Sequence, residues 1–138
     1  MALGRNAKID LIKGVPLFAR CSKKELAEVA KLADEIDFGP GQELIREGAS
    51  GREFFVLVEG VVDVHRKGRR VNQLGPGDFF GEIALIAHTP RTATVTTAGN
   101  VDLLVITAQS FKTLLEHQPA IASKVLAALA ERIAPESL

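Results

Sequence analysis

The sequence predicts a mainly β domain: an antiparallel β-roll or jelly roll of about eight strands, with a short helix set inside it and helices at both ends. Three observations carry this expectation. Between Phe38 and Asn100, glycine and proline recur at the spacing of turns, roughly every eight to twelve residues. The intervals are filled by short runs of β-branched and aromatic residues. Helical periodicity, in contrast, is confined to the two flanks. At 138 residues and 46% hydrophobic content the chain can bury one core, so a single domain spanning residues 1–138 is expected. Its parts would be helices over 1–34, the roll over 35–107 and helices over 108–134.

The first helix is expected over Ala7–Lys13, ended near Gly14 and kept from continuing by Pro16. The second runs from about Ser22 to Ala33. Ser22 and Glu25 have capping-box spacing, and Leu26, Val29, Ala30 and Ala33 follow at helical intervals. From Glu35 the period shortens. Strands are expected at Ile36–Phe38, Leu44–Arg46, Phe54–Glu59, Val61–Arg66, Val71–Leu74, Ala93–Thr97 and Val101–Thr107, each bounded by turn residues. Glu82–Ile86 lacks β-branched alternation and reads as a short helix behind Gly81. Helical pattern returns over Ala108–His117. Pro119 then opens a last helix with Ile121, Val125, Leu126, Leu129 and Ile133 on one apolar stripe.

Seventeen basic residues balance seventeen acidic ones, so no bulk charge draws the chain to nucleic acid or an anionic membrane. No apolar run approaches the ~18 residues of a membrane span, and the start carries no signal-peptide core. Cys21 is the one cysteine, which excludes an intrachain disulfide and fits a reducing, cytoplasmic compartment. His65, His88 and His117 have no metal-ligand spacing. The basic stretch Arg66–Arg70 reads as a solvated hairpin tip.

Chemistry concentrates in Phe79–Val95. Gly81 lets backbone approach a ligand, and the first amides of the short helix, Ile83 and Ala84, would point outward with partial positive charge. Arg91, on a loop stiffened by Pro90, adds a planar fork that can hold two phosphate oxygens. A carboxylate at Glu82 beside an anion is explained if the ligand also offers a hydroxyl donor, as a ribose 2′-OH does. Together these features describe a sugar phosphate or nucleotide.

The run FGEIALIAHTPRTA, Phe80 to Ala93, resembles without departure the phosphate-binding cassette of the cyclic nucleotide-binding domains, the cAMP and cGMP sensors. The turns at Gly39–Gly41, Glu47–Gly48 and Glu59–Gly60 and the run Leu74–Glu82 are similar to that family's β-roll. The resemblance implies that Glu82 accepts the ribose 2′-OH and that Arg91 pairs with the exocyclic phosphate oxygens. Amides of Gly81, Ala84, Thr92 and Ala93 would complete the cradle. The base would rest on Val71 or Leu74 beneath the last helix, with Arg132 facing it. Thr92 could meet a guanine amino group, yet bacterial relatives with a hydroxyl residue here often answer to cAMP, so base preference leans to cAMP. The resemblance implies a non-enzymatic sensor with no cofactor, acting on an effector protein or on an effector domain absent from this chain. Two other readings compete: a degenerate roll kept for protein contact, and a cupin-like enzyme, for which the needed His/Glu metal cluster is missing.

Overall fold

In the computed structural model, residues 3–87 and 89–133 are described, the side chains of residues 132 and 133 excepted. Among them eight strands form two four-stranded antiparallel sheets. The strands are β1 (Asp34–Phe38), β2 (Glu43–Ile45), β3 (Glu53–Glu59), β4 (Val62–Arg66), β5 (Arg69–Leu74), β6 (Phe79–Phe80), β7 (Thr94–Thr97) and β8 (Val101–Thr107). One sheet runs β1-β8-β3-β6 and the other β2-β7-β4-β5. The helices are α1 (Arg5–Lys13), α2 (Lys23–Ala30), α3 (Ala108–His117) and α4 (Pro119–Ile133), with 3₁₀ turns at Pro16–Phe18 and Glu82–Leu85. This is the expected roll with flanking helices. None of the described helices is long and apolar enough to cross a membrane.

Alternation along β8 sorts the apolar side chains into two cores. Val101, Leu103 and Val105 face the roll interior with Phe55, Leu57, Val62, Phe80 and Val95. Leu104 and Ile106 face the other way, onto the helical layer of Ile12, Phe18, Leu26, Phe111, Ile121 and Val125. Edge-on packing of Phe18 on Phe111 joins the two ends of the chain.

Local chemistry accounts for the boundaries. Ser22 and Glu25 complete the capping box, the Ser22 hydroxyl accepting from the Glu25 amide and the Glu25 carboxylate from the Ser22 amide. Thr107 caps α3 by accepting from the Ser110 amide. Buried Thr97 fastens the Gly39–Gly41 turn: its hydroxyl donates to the Gly39 carbonyl at 2.7 Å and accepts from the Gln42 amide at 2.8 Å.

Several expectations need correction. The first helix starts at Arg5, and α2 ends at Ala30, the chain passing through turn residues to Ala33. The strand β6 and the turn Pro16–Phe18 have no sequence signal of their own; β6 exists because Phe79 and Phe80 pair with Val56 and Phe55. The inserted helix is a 3₁₀ helix of four residues, Glu82–Leu85. On α4, Leu126 stands 63% exposed, and Ala128 takes the place on the buried stripe that the sequence pattern assigns to it.

Candidate functional site

Phe80 brings the chain off the edge of the first sheet, and Gly81 turns it in the left-handed region (φ 80°) straight into the 3₁₀ helix. A side chain at Gly81 would be strained there, and its Cβ would lie 2.7 Å from Arg91 Nη1 and 3.0 Å from the Glu53 carbonyl oxygen. Within the helix the Ala84 amide donates to the Gly81 carbonyl at 3.1 Å. This corrects one expectation, since that amide already has an internal acceptor; the tighter 3₁₀ bonding uses it where an α-helical first turn would leave it outward.

Arg91 lies on the returning loop, which is tied to the turn before β3. The Arg91 amide donates to Ala49 and the Gly48 amide to Arg91, each at 2.8 Å, and Ser50 bridges Pro90. The Arg91 side chain is 7% exposed. Its Nη2 donates to the Glu53 carbonyl at 2.7 Å and its Nη1 to the Gly81 carbonyl at 3.4 Å, and the Glu53 carboxylate stands 3.8 Å away. Burial pushes the Arg91 pKa down, and the Glu53 carboxylate pushes it back up. A Cβ on Gly51 would fall 2.0 Å from Arg91 Nε, so this glycine makes room for the arginine.

Both groups open onto a cavity of about 380 Å³ between the 3₁₀ helix, the returning loop and the inner face of the second sheet. Glu82, 8% exposed, lines it together with Gly81, Ile83, Ala84, Thr92 and Ala93. The structure therefore gathers every expected cassette residue around one space. On the sheet side it selects Leu74 and rejects Val71, which is 53% exposed and outside the lining. Asn72 stands opposite Val64 and Leu74 opposite Val62, so their side chains point inward and that of Val71 outward. Asn72, Val64, Ile45, Val95 and Arg66 complete that wall. The sequence analysis missed these five; period-2 alternation through Leu74 was the available signal for Asn72.

The last helix does not cover this cavity: among the described residues no α4 side chain lines it. Ile121, Val125 and Ala128 are buried on the helical side, Lys124 Nζ donates to Glu25 Oε1 at 2.5 Å, and Glu131 pairs with Arg20. The backbone of Arg132 lies in α4, and its side chain is outside the described residues, as is His88. A larger cavity of about 970 Å³ sits behind the 3₁₀ helix, against Gln109, Lys112, Thr113 and Glu116 of α3. Its walls mix both charges, with Lys112 and Glu116 on the same helix face. Among the described residues, no three His, Cys, Asp or Glu side chains are grouped to hold a metal ion.

A β-roll with a buried arginine and a buried carboxylate lining one small cavity has the architecture of a small-molecule-binding domain. Comparison with known proteins gives it a family. The model of the cyclic nucleotide-binding domain matches residues 35–118, and the chain belongs to that family. It is 37% identical over 123 residues to a cyclic nucleotide-gated potassium channel of Rhizobium etli, covering 89% of this chain and 34% of the channel. It is 39% identical over 92 residues to the cAMP-dependent protein kinase regulatory subunit of Mycosarcoma maydis, covering 64% of this chain and 18% of that protein. Among solved structures, the N-terminal domain of a transcriptional regulator from Streptomyces coelicolor superposes with a TM-score of 0.84 at 32% identity, covering 93% of this chain and 92% of that one. The chain thus spans about a third of the channel and under a fifth of the kinase subunit. It is a cyclic nucleotide-binding domain by family, matched over residues 35–118.

Proposed function

We propose that this chain binds a 3′,5′-cyclic nucleotide, cAMP ahead of cGMP, and works in the cytoplasm as a single regulatory module whose last helix passes the signal to an effector protein or effector domain. The observation that carries the reading is the pairing of Glu82 and Arg91, both buried, on one cavity of about 380 Å³ inside an intact cassette. Arg91 has five N–H donors and spends two on main-chain carbonyls. The others serve the exocyclic phosphate oxygens, and Glu82 accepts from the ribose 2′-OH. Leu74, Val64 and Val95 offer the base an apolar wall. Similarity to a cAMP-dependent kinase subunit supports cAMP as the ligand. Transmission through α4 is supported by its position: it rests on the helical layer away from the cavity, with Leu126 exposed. A ligand moves such a helix only by its difference in affinity for the two placements.

Calorimetry with cAMP, cGMP and 5′-AMP tests the reading. The expected result is a micromolar or tighter constant for cAMP, a weaker one for cGMP, and at least about tenfold weaker binding of 5′-AMP, equivalent to ~1.4 kcal/mol. Silence from all three ligands would overturn it.

A further inference from the structure

At the end of the roll away from the cassette, acidic side chains face one another across three neighbouring strands. On β1, Glu35 and Asp37 share a face. Asp102 of β8 is directly opposite Asp37, and Glu59 of β3 is opposite Asp102 across a bulge. Like charges placed directly opposite one another destabilise a sheet. Asp102 is only 8% exposed, and among the described residues its Oδ1 receives no hydrogen bond. A cavity of about 390 Å³ is lined by Asp37, Glu59 and Asp102, with Asn100 beside them.

Glu35 is opposite Leu104 in the pairing of β1 with β8, which sets it one diagonal step from Asp102 on the same face. Two carboxylates have no donor between them, so a hydrogen bond linking them requires one proton on the pair. The other contact of Glu35 reaches a different part of the chain: its Oε1 accepts from the Leu3 amide at 2.6 Å. Nearby, Lys8 of α1 donates to the Ala33 carbonyl at 2.8 Å, at the foot of β1.

We propose that Asp102 and Glu35 form a proton-held clasp between the roll and the amino-terminal segment, closed while the pair shares a proton and loosened when the proton leaves. In the closed form the Asp102 hydroxyl donates to one Glu35 oxygen, and the still-ionised Glu35 keeps the Leu3 amide on the other. When Asp102 ionises, its charge is buried beside those of Glu35, Asp37 and Glu59. Lys8 of α1 acts on this group through Glu35.

Burial pushes the Asp102 carboxyl up to about 7, helped by the bond and charge of Glu35 and by Asp37. The same bond, with the Leu3 amide, holds Glu35 below the usual carboxylate range. An acid raised in the folded state keeps a proton that the unfolded chain releases near pH 4, so stability falls as pH climbs from about 4 to about 7.

The test uses the full chain without ligand, between pH 5 and 9. The protection factor of the Leu3 amide and the titration of the Asp102 carboxyl carbon are followed by NMR in the native protein and in Asp102→Asn. The asparagine still donates to Glu35 and carries no charge. In the native protein the Leu3 protection should fall by about tenfold per pH unit between roughly 5 and 7. In Asp102→Asn it should stay level, which also separates the effect from titration of the amino terminus. Parallel profiles in the two proteins would overturn the proposal, as would an Asp102 carboxyl titrating at its ordinary value. Should Asp102→Asn not fold, Asp37→Asn serves: removing that facing charge must move the midpoint to lower pH, and an unmoved midpoint overturns the clasp. Loss of the pH dependence in millimolar calcium would assign the carboxylates to a cation and overturn it equally.

Discussion

Arg91 spends two of its five N–H donors on the carbonyls of Glu53 and Gly81, and these bonds fix the plane of its fork without help from a ligand. Truncation to alanine should cost binding ~2–5 kcal/mol, as loss of one partner of a buried charge pair does; calorimetry with cAMP would read it. Gly51 gives the sharper prediction. Gly51→Ala puts a methyl group inside the space of Arg91 Nε, so the guanidinium must leave its seat. Cyclic nucleotide affinity should then fall about as far as in Arg91→Ala, while circular dichroism shows the roll retained. Glu82→Gln should narrow the preference for ribo over 2′-deoxy ligand, and an unchanged ratio would remove Glu82 from the sugar. The identities of Glu82 and Arg91 were legible because the FGE and PR elements stand at fixed spacing around one short helix. The seat of Arg91 was not: it depends on residues 48–53, brought alongside only by folding.

Among the elements, the β4–β5 hairpin shows how register decides function. Its turn places Lys67 at φ 51° and Gly68 at φ 79°, the positive values of a two-residue hairpin turn. The Lys67 amide is held by the Glu47 carboxylate at 3.0 Å. Lysine is strained in that conformation, so Lys67→Asn should raise stability by about 0.5–1 kcal/mol, read as a higher urea midpoint. The turn sets which β5 residues face inward. Strand existence was plain from β-branched content, yet the choice between Val71 and Asn72 follows from pairing with β4, including a shift between Val64 and His65. The family resemblance left Val71 and Leu74 as alternatives, and register separates them, because the Val71 side chain is on the solvent face. The amino-terminal helices were visible in the Ser22–Glu25 capping box and the carboxy-terminal ones in their periodicity and Pro119, and β8 matched its expected bounds because the run Val101–Thr107, strand-forming apart from Asp102, starts behind Asn100 and ends on the residue that caps α3. The hold on α4 is polar and half-exposed at Lys124 and Glu25. An exposed pair of this kind contributes little. Lys124→Met should therefore change cAMP affinity by no more than about fivefold, upward if binding needs α4 released.

At the scale of the whole molecule, nearly every residue of β8 is buried, and the strand separates two cores while contributing to both. This arrangement was hidden in the sequence, where Val101–Thr107 is a continuous apolar run broken only by Asp102; assigning its faces requires the helices and the roll to be present. Replacing Leu104 on the helix side by alanine should cost ~2–5 kcal/mol of stability. One backbone thus acts as a party wall: on the proposed function, packing that tightens around a nucleotide in the roll would press, through the shared inner core, on the same plank that Leu104 and Ile106 brace from the helical side. An occupant of one room would then be felt in the other without any side chain crossing between them.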